Sequence, residues 1–97
     1  MPLSAELLSG IYWTELRIFL EVANARSFNK AAQQFNVSHA KIGRAVRRLE
    51  EALGTELLAT SGPRGVTLSP RGVEFARDLV RVDRALATIL QRVSRAR

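Results

Sequence analysis

Apolar residues recur along this chain at more than one spacing, and the changes between spacings mark out its parts. Leu16, Phe19, Leu20 and Ala23 fall at i, i+3, i+4 and i+7, one face of a helix. The pattern predicts a first helix from Thr14, as N-cap, to about Ala25, with Glu15 in its positive first turn. Ser27 caps a short second helix over 28–35, whose adjacent small residues Ala31 and Ala32 let another helix come close. Asn36 and Val37 leave room only for a tight corner. Ser38 then opens a third helix over 38–53, in which Ile42, Val46, Leu49 and Leu53 form an apolar stripe before Gly54 stops it.

After Gly54 the helical period is lost. Residues 56–59 and 66–68 are expected to pair as two short strands around the turn-rich stretch Ser61, Gly62, Pro63, Arg64 and Gly65. Ser69 and Pro70 read as N-cap and first residue of a last helix that meets no breaker before about Arg95. Within it Phe75, Leu79, Val82, Leu86, Ile89 and Val93 alternate fours and threes, a narrow heptad seam. Such a seam calls for a partner helix. A second copy is the expected one; the alternative is that the helix folds back on its own domain, with Phe75 and Leu79 the first to do so.

Three helices with a tight corner between the last two, followed by a small hairpin, predict a mainly α winged helix-turn-helix with a long dimerisation helix appended. Residues 1–12, which contain Pro2 and Gly10 and no clear period, are expected to be an arm. The division is then arm 1–12, winged helix-turn-helix 13–68 and linker helix 69–97.

Helical phase gives the third helix two different faces. At about 100° per residue, Arg44 lies nearly opposite the apolar stripe, flanked by Ala40, Lys41, Arg47 and Arg48. A helix so divided can pack inward and lie in the major groove of a duplex outward, where Arg and Lys donate to N7 and O6 of guanine. Ala40 and Gly43 let the backbone approach, and His39 in the first turn faces the same space. The competing account is a solvated basic face on a structural helix. Two features weigh against it: Ser27 and Ser38 cap helix N-termini, which are ready anion sites, with Asn29 and Lys30 beside the first; and residues 26–71 carry eight basic against three acidic side chains, a net of +5.

Composition narrows the remaining classes. Ninety-seven residues suffice for one domain with an appendage. The net charge of +6 comes almost wholly from arginine, which favours partners bearing phosphate or carboxylate. Cysteine is absent and His39 is the only histidine, so thiolate metal sites are excluded and a His-based triad or metal cluster would hang on one residue. No phosphate-cradling Gly loop follows a strand; no metal, cofactor or catalytic site is expected, and no enzyme. No apolar run has the length of a membrane span and no signal peptide is evident, so a cytoplasmic chain with no membrane partner is expected.

The runs Leu16-Arg17-Ile18-Phe19, Ser27-Phe28-Asn29-Lys30-Ala31-Ala32, Val37-Ser38-His39-Ala40, Arg47-Arg48-Leu49-Glu50 and Leu53-Gly54 together resemble the N-terminal domain of LysR-type transcriptional regulators, and Ser69-Pro70-Arg71-Gly72 continues the likeness. The resemblance implies a winged helix-turn-helix and a linker helix that pairs two subunits. By position it implies base reading by His39, Ala40, Lys41 and Arg44, and DNA-backbone contacts from Ser27, Asn29, Lys30 and Ser38; Arg48 is added to the backbone set. Many members carry an aromatic at the position of Leu58 and an arginine near Thr60, so Arg64 is the natural substitute in this wing. Members usually continue into an effector-binding domain. This chain is therefore expected to be an excised domain or a short regulator, with no small-molecule effector site of its own.

The expectation is sequence-specific binding of double-stranded DNA by a bacterial transcription regulator at the nucleoid. It acts as a homodimer through Phe75, Leu79, Val82, Leu86, Ile89 and Val93, on an inverted repeat. The alternative is an interaction module that pairs with another regulator through the same helix and blocks it.

Overall fold

The computed structural model describes residues 12–95; of the expected arm, residues 1–11 lie outside the described residues, as do 96–97 of the linker segment. Five of the six elements stand nearly where expected, and the first strand of the wing is displaced. Helix α1 spans Trp13–Ala25, α2 Phe28–Phe35, α3 His39–Leu53, strands β1 Leu58–Gly62 and β2 Gly65–Leu68, and α4 Pro70–Arg95.

The first correction concerns the start of α1. Its N-cap is Tyr12, without a side-chain cap bond, and the Leu16 N–H already donates to the Tyr12 carbonyl at 2.9 Å. Thr14 therefore lies inside the first turn. The buried set is also wider than the expected stripe: Ile18 and Val22 join Leu16, Phe19 and Ala23, while Leu20 is only half-buried. The cause is position, because α1 runs between two clusters. Ile18 and Val22 pack with Ala31, Ala32, Ile42, Ala45, Val46 and Val66; Leu16, Phe19 and Ala23 pack with Leu49 and Leu57. A helix covered on two sides needs more than one stripe.

Serine hydroxyls set the next two starts. Ser27 Oγ accepts the Lys30 N–H at 3.2 Å and Ser38 Oγ accepts the Lys41 N–H at 3.1 Å, each relieving one unpaired donor of a first turn. Between them Asn36 takes a left-handed conformation, φ 54°, and the Val37 N–H returns to the Ala32 carbonyl, closing the corner. Gly54, φ 70°, ends α3 in the same conformation.

The second correction is the hairpin. Its strands pair antiparallel with Leu58 opposite Leu68 and Gly62 opposite Gly65, so β1 begins two residues later than 56–59 and runs on to Gly62. The turn shrinks to Pro63 and Arg64. The reason lies in what precedes it. Leu57 is buried, and the Leu57 and Leu58 N–H groups donate to Glu50 Oε2 at 2.8 and 3.1 Å. The carbonyls of Glu56 and Leu57 accept from the Ser69 hydroxyl and N–H at 2.7 and 2.9 Å. Residues 56–57 thus clamp α3 to the start of α4 and are unavailable to the sheet.

Ser69 caps α4 as expected, its Oγ accepting the Gly72 N–H at 3.0 Å. Gly72 sits against the clamp so closely that an added Cβ would lie 2.0 Å from the Leu57 carbonyl oxygen. The following turns pack on α1: Phe75 stacks on Phe19 with centroids 5.7 Å apart, and Leu79 joins the same cluster. The proximal seam residues Phe75 and Leu79 are thus occupied within their own domain, where fold-back was the alternative to pairing. Arg17 and Asp83 form an ion pair of 2.9 Å just beyond, and Val82 and Leu86 border a groove with Trp13, Leu16 and Leu20 before the helix leaves the domain. Among the described residues no helix is long and apolar enough to cross a membrane.

Candidate nucleic-acid interface

The inner face of α3 decides where its outer face points. Ile42, Val46 and Leu49 are essentially inaccessible, and fixing them turns His39, Ala40, Lys41, Arg44, Arg47 and Arg48 to the exposed side. Burying a bare guanidinium costs far more than any contact the core could return, so this orientation is dictated rather than chosen. Lys41, Arg44, Arg47 and Arg48 rim a shallow depression with Ala45 at its floor and Glu51 at its edge.

Helix α2 places a second group of polar side chains beside the first. With the Lys30 and Lys41 N–H groups capped by serine, the N–H groups of Phe28, Asn29, His39 and Ala40 remain in first turns without intrahelical partners. Asn29 and Lys30 are exposed, and Asn29 is joined to α3 by a hydrogen bond between His39 Nδ1 and its Oδ1 at 2.7 Å. The two helix starts therefore open on one surface. Arg64 stands at the exposed tip of the wing.

Arg48 is placed less simply. Its guanidinium leans back toward α1, 3.8 Å from Glu15 Oε2, while remaining 60% exposed, so it lies at the flank of the surface. Sequence reasoning missed a cleft between α2, α3 and the wing, lined by Phe28, Gly43, Arg47 and Glu50 with Leu58 and Thr60. It also missed the Glu50 clamp and the Asn29–His39 bond. Glu50 lies within the Arg47-Arg48-Leu49-Glu50 run, but nothing in its spacing names backbone N–H groups seven and eight residues later as its partners. Among the described residues no group of three or more His, Cys, Asp or Glu is placed to hold a metal ion.

Comparison with known proteins agrees with this geometry. The sequence profile of "Bacterial regulatory helix-turn-helix protein, lysR family" matches residues 13–73. The chain is 34% identical over 73 residues to the HTH-type transcriptional regulator CrgA of Neisseria meningitidis, covering 75% of this chain and 24% of the relative. It is 37% identical over 82 residues to the SDS degradation transcriptional activation protein of a Pseudomonas species, covering 81% and 26%. The chain thus spans about a quarter of the length of these curated relatives. Among solved structures it is similar to the BenM DNA-binding domain in complex with catB site 1 DNA (TM-score 0.77, 29% identity, 84% of this chain and 90% of that one). It is likewise similar to the CbnR DNA-binding domain in complex with DNA (TM-score 0.74, 31% identity, 86% and 94%).

Proposed function

This chain belongs to the LysR family of bacterial regulatory helix-turn-helix proteins, a family of regulators rather than enzymes, and from that premise we propose that it binds double-stranded DNA sequence-specifically as a homodimer. The observation that carries the reading is the division of α3, with Ile42, Val46 and Leu49 buried on one side and Lys41, Arg44 and Arg47 exposed on the other. In this reading α3 lies in the major groove, where His39, Ala40, Lys41 and Arg44 meet base edges. Ser27, Asn29, Lys30, Ser38 and Arg48 face the phosphates, and Arg64 reaches them from the wing. The site of action is the nucleoid, in the bacterial cytoplasm.

The dimer is proposed to form along Val82, Leu86, Ile89 and Val93, large apolar side chains that are 40–68% exposed. Two-fold symmetry then makes the target an interrupted inverted repeat with half-sites about one helical turn, or a small multiple, apart.

The same exposed face favours a second reading, an interaction module that captures another regulator. Selection from a random duplex pool followed by gel shifts over a salt series separates the two. DNA binding predicts an enriched inverted repeat and affinity falling steeply with salt; the module predicts no shift by the homodimer. On the selected site Arg44→Ala is expected to lose about 1–3 kcal/mol of binding and to relax one base position. Unchanged affinity would remove Arg44 from the reading face.

A further inference from the structure

His39 stands exposed in the first turn of α3, and two contacts with α2 hold its ring. Nδ1 lies 2.7 Å from Asn29 Oδ1, and the ring meets Phe28 edge-on, centroids 5.3 Å apart at 75°. Phe28 is itself packed against the core cluster of α1, α2 and α3, so the anchor is firm. An amide oxygen can only accept. For a neutral imidazole this contact is a hydrogen bond only with the proton on Nδ1, which leaves a lone pair on Nε2. The two ring nitrogens point in diverging directions, so tying Nδ1 to α2 turns Nε2 away from it. Among the described residues Nε2 has no protein partner.

The neighbours on this face, Lys41, Arg44 and Arg47, are donors only. A fixed acceptor at the head of the helix has a different complement. We propose that His39, held by Asn29 with its proton on Nδ1, is a specificity-determining residue that offers Nε2 to the exocyclic amino group of adenine or cytosine. Guanine N7 and O6, thymine O4 and phosphate oxygens are all acceptors and would meet it lone pair to lone pair. The base on the strand that the ring faces is therefore an amino base. The inference rests on the DNA-binding reading above, and its test has one arm that needs no DNA.

Long-range ¹H–¹⁵N spectra of the free protein at pH 8 are expected to show the Nδ1–H tautomer, and Asn29→Ala is expected to return the ring to Nε2–H. An Nε2–H tautomer in the unaltered chain overturns the proposal. In selection from a random duplex pool at the same pH, one position in each half-site is expected to favour A and C over G and T by about two- to tenfold, the scale of a single net hydrogen bond. His39→Ala flattens that position alone. A pool in which His39→Ala changes no amino-base position overturns the base contact. A chain that selects nothing overturns the DNA reading itself and the base preference with it, while the spectra still report the tautomer.

Discussion

The two halves of α4 carry one continuous seam and meet opposite fates. From Gly72 to Leu79 the seam is pressed onto α1 and the Leu57 clamp; Val82 and Leu86 border a groove with Trp13, Leu16 and Leu20 of α1 while staying half exposed, and Ile89 and Val93 project beyond it in the open. What differs is not the pattern but what lies opposite it. Heptad spacing states which side of a helix is apolar and is silent about what covers that side. The proximal half is part of the domain's core, and the distal half carries the exposed side on which pairing is proposed.

That contrast can be broken at either end. Phe75→Ala removes the ring stacked on Phe19 and is expected to cost about 3 kcal/mol of folding stability by urea denaturation; a loss below about 1 kcal/mol would mean the proximal half is not core. Gly72→Ala forces a methyl against the Leu57 carbonyl and is expected to cost about 1–3 kcal/mol through displacement of α4 from the clamp. In the distal half Ile89→Asp, beyond the groove that Leu86 borders, is expected to change the stability of the single domain by no more than about 0.5 kcal/mol and yet to convert a sedimenting dimer to monomer. An unchanged sedimentation profile would defeat the pairing proposed for this half. At the boundary, Asp83→Asn breaks the exposed pair with Arg17 and is expected to cost under about 1 kcal/mol, less still in high salt.

Much of this was legible in the sequence because local chemistry decided it. Ser27, Ser38 and Ser69 each sit one residue before a helix and cap it, and Gly54 ends α3 because it tolerates the left-handed turn. The outward face of α3 followed from phase alone. What was not legible depends on contacts distant in sequence. Ile18 and Val22 are buried because a second layer covers α1, and 56–57 leave the strand because Glu50 and Ser69 claim their backbone groups. The pairing of Asn29 with His39 across the corner likewise needed the fold. Spacing locates each side chain on its own helix, not the atom it meets on the next.

The clamp at Leu57 has a mechanical consequence. Through Glu50 on one side and Ser69 on the other, it joins the end of α3 to the beginning of α4 with four hydrogen bonds to three successive residues, leaving no hinge between them. Helix α3 and the proximal linker are therefore tied together, and in the paired assembly proposed above the distance between the two copies of α3 would follow the register of the distal seam. Sliding that register by one heptad moves a reader about 10 Å along the linker, or about three base-pair steps if that displacement lay along the duplex. The spacer length that such a pair accepts would then be written in the choice of which seam residue meets which.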